Sequence, residues 1–211
     1  MTPRHAEANY HAISDGWEKD MHQDTEPRIS SVDLTMMTPE QQSAVDAFNS
    51  GPRGSIRGPF SVLLNSPGAF NATQALGAYL RFQSGIPANL RELAILITAR
   101  HWRQEYEWRI HSVLAREAGV SERAITLLAA GREAEGLSPD EMIVFAFCRQ
   151  LHRANDVDDA IFADVERLLG PAGVIDLCAV CGYYALLAMV MNVSRNPTPV
   201  APSPFNVLGG T

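Results

Sequence analysis

The chain has 211 residues, with 17 basic and 24 acidic side chains and a net charge of -7. At roughly 100–200 residues per domain, that length fits one domain, or one domain with an arm. Hydrophobic residues make up 46%, enough for a real core, and the acidic balance argues against the basic face that general nucleic-acid binding needs.

Residues 1–35 read as a polar arm carrying His5, His11 and His22, with no apolar period before Val32. Thr38-Pro39-Glu40 is a helix start, with Thr38 as cap and Pro39 in the first helical position. That helix should stop at Asn49-Ser50-Gly51. Residues 51–66 read as a loop. Its glycines are not followed by Gly-Lys-Ser/Thr, so the phosphate-loop reading fails. It is either a rigid connection or a loop whose Arg53 and Arg57 line a site for an anionic ligand.

Residues 67–193 read as successive helices. The first runs from Pro67 to Phe82, and the next from Pro87 to about Arg103, with an apolar stripe of Leu90, Leu93, Ala94, Ile97 and Ala99. Another spans Glu105 to about Ala118 and stops at Gly119. Ser121 restarts a helix that ends at Gly131. Ser138-Pro139-Asp140-Glu141 is the strongest start in the chain, and its helix runs to about His152, placed there as a partner of the helix dipole. A further helix ends at Leu169, and Pro171 opens the last one, apolar on most faces and therefore expected to be central. Its uncharged stretch Leu177 to Val193 is 17 residues long, short of the ~20 a bilayer requires, so a buried helix is expected. No alternating strand pattern occurs, and the fold class is all-α. Residues 36–195 form the helical domain, and 196–211 an extended Pro-rich tail or a disordered one.

Three cysteines are too few for a disulfide framework, and residues 1–30 lack a signal-length apolar run. A reducing, cytoplasmic setting is expected. Only Lys19 is lysine; the other sixteen cations are arginine, whose planar fork suits a carboxylate.

Glu107 and His111 stand at i and i+4, on one face of a helix. A carboxylate beside an imidazole orients the ring and raises its pKa, so the pair can move a proton near neutrality. An ordinary surface pair has the same spacing. A metal site adding His101 has the right residue types without a zinc-type signature. Cys178-Ala179-Val180-Cys181 is a Cys-x-x-Cys without a flanking cation or histidine, so packing and a pocket-lining or redox role both stay open. Trp102 and Trp108 read as packing residues or as a stacking surface, and Arg91 as a salt-bridge partner or a ligand.

Pro87-Ala88-Asn89-Leu90-Arg91-Glu92-Leu93-Ala94-Ile95-Leu96, Glu105-Tyr106-Glu107-Trp108-Arg109-Ile110-His111 and Ala115-Arg116-Glu117-Ala118-Gly119-Val120-Ser121 resemble the carboxymuconolactone decarboxylase family. The resemblance covers roughly residues 59–192 and implies the helical fold of alkyl hydroperoxidase D. In the hydroperoxidase branch a glutamate precedes a Cys-x-x-Cys and a histidine follows it. Here the glutamate falls on Glu92, the histidine on His111, and the two cysteine positions on Gln104 and Glu107. A thiolate nucleophile is missing from that site, so the likeness points to the decarboxylase branch.

The resemblance implies a cofactor-free decarboxylase, or a related proton-transfer lyase, for a small carboxylated lactone or keto acid. His111 would protonate carbon, oriented by Glu107 or Glu92. Arg91 or Arg57 would hold a carboxylate, Tyr106 would donate to a substrate oxygen, and Cys181 would face the cavity. No metal, flavin or pyridoxal motif is present. The alternatives are a thiol-dependent peroxidase or reductase using Cys178 and Cys181, and a non-catalytic ligand-binding oligomer. A homo-oligomer, trimer or hexamer, is implied, with no membrane or nucleic-acid partner.

Overall fold

The structure is a computed structural model, and it describes residues 26–51, 55–195 and 203–206. His5, His11, His22, Lys19, Arg53 and most of the tail lie outside these. Among the described residues there are eight α-helices and no strand, the all-α fold. They are α1 (Pro39–Asn49), α2 (Pro59–Leu63), α3 (Pro67–Phe82), α4 (Ala88–His101), α5 (Glu105–Glu117), α6 (Glu122–Ala129), α7 (Pro139–Ala154) and α8 (Asp159–Ser194). A 3₁₀ turn follows at Pro204–Asn206.

The described residues fall into two compact units. Those of 1–83 and 186–200 form one, and those of 84–185 and 201–211 form the other. In the first unit, Thr38 caps α1 in a full capping box with Gln41. Phe48, Phe60 and Phe70 pack with ring centroids 5.2 to 5.6 Å apart. The expected loop 51–66 contains a helix, α2. Gly58 turns the chain with φ 54°, and Pro59 enters at the first helical position with its φ already helical. Phe60, Val62 and Leu63 then bury the short helix. The amides of Arg28 and Ile29 both bond Ser194 O, so this stretch of the expected arm is tied to the end of α8.

In the second unit, the central helix is α4. Leu90 and every residue from Glu92 to Ala99 are buried. It packs against α5, α6 and α7. The last helix was expected in that place, and it keeps an open side instead. Ile175, Leu186, Met189 and Val193 are exposed along it, with Ile175 at 68% and Val193 at 59%. Apolarity on most faces does not say which faces find a neighbour. α8 is broken where expected: Gly170 takes φ 71° before Pro171, separating limbs 159–169 and 171–194. By length and composition alone α8 could cross a bilayer, yet half of its most apolar window is buried in the protein.

Sharp stops position the hairpin of α4 and α5. Arg103 takes φ 50° in the connection, and Gln104 then caps α5 by accepting from the Tyr106 amide at 2.7 Å. The Ser138–Glu141 capping box opens α7, and Asn155, at φ 60°, closes it. Part of the tail is anchored. Phe205 is buried and meets Trp108 edge-on at 5.3 Å, with the Arg100 guanidinium 5.2 Å from its ring centre.

Candidate active site

Two helices build the first cluster. Glu92 comes from α4 and Glu107 and His111 from α5, each within about three turns of the α4–α5 connection. Antiparallel helices place such positions side by side. His111 Nδ1 is 2.6 Å from Glu92 Oε2, and its Nε2 is 3.5 Å from Glu107 Oε2. The imidazole is 2% exposed and both carboxylates are buried. Arg91 Nε lies 3.6 Å from Glu92 Oε1. Tyr184, from the second limb of α8, meets the imidazole edge-on at 4.9 Å.

Burial alone would push the His111 pKa down. The Glu92 charge, hydrogen bonds to both carboxylates and the Glu107 charge together outweigh it, and the pKa is raised. The protonated ring also balances the local charge. Arg91 and His111 then carry two positive charges against the two of Glu92 and Glu107. An uncompensated buried charge is costly, and the neighbouring carboxylates favour the charged form of the ring.

The two positions that carry cysteines in the hydroperoxidase branch have other work here. Gln104 is the cap of α5, and Glu107 is the second carboxylate on His111.

The other expected site residues are distributed. Arg91 stands beside Glu92, at the edge of the cluster. Tyr106 is buried on α5, one residue before Glu107. Arg57 belongs to the first unit, where its carbonyl accepts from the Phe60 amide at 3.2 Å. Cys181 is placed in a second cluster, which sequence reasoning missed.

In that second cluster Cys181 pairs with Cys148, not with Cys178. The two sulfurs are 3.6 Å apart and both are buried, while Cys178 is exposed. Cys148 sits on α7 and Cys181 on α8, so sequence spacing gave no sign of the pair. A histidine does attend it. His152 Nε2 is 2.9 Å from Thr98 Oγ1, and both side chains bond Cys181. Thr98 Oγ1 also donates to Ala94 O at 2.9 Å. His152 stands in the last turn of α7, as expected, and makes the tertiary contact with Thr98 as well. Hydrogen bonds from Cys148, His152 and Thr98 hold the Cys181 thiol below the ordinary range against burial. The same contact with Cys181, together with burial, pushes the Cys148 thiol well up. His101, weighed as a metal ligand with His111, stacks on His152 instead, centroids 4.8 Å apart and planes at 16°.

A small all-helical protein with a carboxylate–imidazole–carboxylate triad across one hairpin is the class these observations define. The carboxymuconolactone decarboxylase family model matches residues 67–150. No curated protein matches the chain. Among solved structures the chain is similar to the debrominase Bmp8. One is a variant in complex with 2,3,4-tribromopyrrole, with TM-score 0.63, 12% identity, and coverage of 85% of this chain and 95% of that one. The apo form gives TM-score 0.62, 12% identity, and coverage of 83% and 93%. At that identity the likeness shows the fold.

Proposed function

We propose that the chain is a carboxy-lyase acting on a small carboxylated lactone or keto acid, with His111 as the proton donor to carbon. The observation that carries this reading is the buried imidazole held between Glu92 and Glu107. Arg91 holds a substrate carboxylate. A second carboxylate leaves as carbon dioxide, and its bonding pair stays behind as an enolate-like anion. Tyr106 donates to the developing oxyanion. The His111 imidazolium gives its proton to the carbanion carbon, and the neutral ring recovers a proton from water. Glu92 and Glu107 hold the ring in place and favour its recharging. Because His111 is buried, the substrate reaches it when covering side chains part.

The test is a panel of small carboxylated lactones and keto acids followed by mass spectrometry. Wild type should release carbon dioxide from at least one, and His111→Gln should not while keeping its helix content. Full activity in the variant overturns the reading.

The sulfur pair favours a second reading, a thiol-dependent peroxidase, with Cys148 in place of Cys178. The Cys181 thiolate would attack the terminal oxygen of an organic hydroperoxide. An alcohol leaves and a sulfenic acid remains; the Cys148 thiol then displaces water and closes a disulfide. Hydroperoxide consumption lost in Cys181→Ser but kept in His111→Gln would move the assignment here. A third reading, a ligand-binding protein without turnover, would show stoichiometric binding and no product.

Assembly as a homo-oligomer, trimer or hexamer, fits the apolar side that α8 leaves open at Ile175, Leu186, Met189 and Val193. The same helix is read as a core and interface element of a cytoplasmic protein, its buried half packed on protein.

A further inference from the structure

The second unit holds a cavity of about 330 Å³ that the carboxy-lyase reading does not use. Five of its eleven lining residues are arginine: Arg100, Arg103, Arg132, Arg149 and Arg153. The stacked His101 and His152 also line it, and the carboxylate beside these arginines is that of exposed Glu133, which pairs with Arg149 and also feels the Arg153 charge. The apolar share of the wall comes from Ile97, Leu128 and Phe145. The whole chain carries sixteen arginines and a net charge of -7. Placing five of them around one cavity works against the protein's overall charge. One carboxylate against five guanidinium groups leaves an excess of positive charge there, which an anionic ligand would balance.

The wall is also held in shape. Arg100 donates from Nε to the Ala129 carbonyl at 3.0 Å, and Phe205 covers its guanidinium. Gly131, at φ 72°, makes room for it: a Cβ there would lie 2.7 Å from Arg100 Nη2. Arg149 is turned by its ion pair with Glu133 and lies 5.5 Å over the Phe145 ring. Arg132 and Arg153 are exposed at the mouth. Burial, and to a lesser extent the Arg103 charge, lower the Arg100 pKa.

We propose that this cavity is a binding site for a small multiply charged oxyanion, a ligand bearing phosphate or clustered carboxylate groups. Guanidinium forks take such groups two oxygens at a time, and the volume lies in the range of small-molecule sites. The ligand would touch His152, which bonds Cys181, so the site also abuts the thiol pair.

The test is titration calorimetry of the full chain with inorganic pyrophosphate and, separately, with citrate, at one low ionic strength. Wild type should bind at least one of them at one site per chain; the tighter of the two names the preferred group. Arg132→Gln with Arg153→Gln should weaken that binding tenfold or more, since each removes a charge-assisted contact without touching a packed residue. Arg167→Gln removes an arginine outside the cavity, paired with Asp164. It should leave binding unchanged. No binding of either probe overturns the proposal. Equal weakening in Arg167→Gln also overturns it, because that pattern is general charge screening.

Discussion

His111 and His152 both reach a partner on α4, Glu92 for the first and Thr98 for the second, and there the likeness ends. Around His111 the neighbours are two carboxylates, and the ring is fully enclosed. Around His152 they are a thiol, a second imidazole and the arginines of an open cavity. One setting favours the charged ring. The other offers a cationic wall and a thiol of lowered pKa. An imidazole's role is set by the charges that the fold brings to it, and two positions on one helix suffice to make two different sites.

The largest expected effect is on turnover. His111→Gln should cut decarboxylation by about 10²–10⁴-fold, the usual worth of a positioned general acid, with the circular dichroism spectrum unchanged. A loss of less than tenfold would remove His111 from the chemistry.

Glu92→Gln should cost about 3–5 kcal/mol of stability, because it leaves a buried imidazolium short of a counter-charge. Chemical denaturation of the two proteins gives the difference. Thr98→Val, the matching change on the other histidine, should cost only about 1–3 kcal/mol through the neutral hydrogen bonds of its hydroxyl, with no charge left uncompensated. Equal costs would erase the contrast between the sites.

The pH dependence carries a definite sign. His111 has a raised pKa in the folded protein against an ordinary 6.5. Its contribution to stability is therefore complete below that ordinary value and is lost as pH rises through the folded value. Turnover falls over the same upper range, because the acid form disappears. The melting temperature of wild type relative to His111→Gln, followed from pH 5 to 9, should decline accordingly. A difference that grows with pH would contradict the carboxylate box.

Thiol labelling separates access from acidity. In the native protein Cys178 should react first with iodoacetamide, since it is exposed. In Cys178→Ser, Cys181 should label roughly tenfold more slowly or less, as it waits for local opening. Rapid native labelling of Cys181 would place it on an open path. The smallest effect is expected at Ile175→Glu, within about 0.5 kcal/mol for the folded protomer. Light scattering should nonetheless show a lower assembly state, if the open side of α8 is covered by another copy.

Local chemistry was enough for most of the helices. Thr38-Pro39 and Ser138-Pro139 announce α1 and α7, and Gly119, Gly131 and Gly170-Pro171 mark stops that hold in the structure. These signals act within a turn of the chain, so sequence alone reads them. The Glu107–His111 pair is legible for the same reason: its spacing is that of one helix face. Glu92 was legible only by resemblance, since nineteen residues separate it from His111 and the hairpin alone brings them together. The short helix α2 was missed because five residues carry too little period to register.

The tertiary structure decided the rest. It joined Cys181 to Cys148 from another helix and left Cys178 outside. It gave His152, in the last turn of its helix, a partner in Thr98. It gathered arginines from α4, α7 and the connections after α4 and α6 into one cavity, though nothing in their spacing relates Arg100 to Arg132 or Arg153. The sequence by itself determined where helices start and stop and which residues share a face, because those follow from neighbours three or four apart. Which faces meet is set by packing across the whole unit, and both candidate sites lie at such meetings.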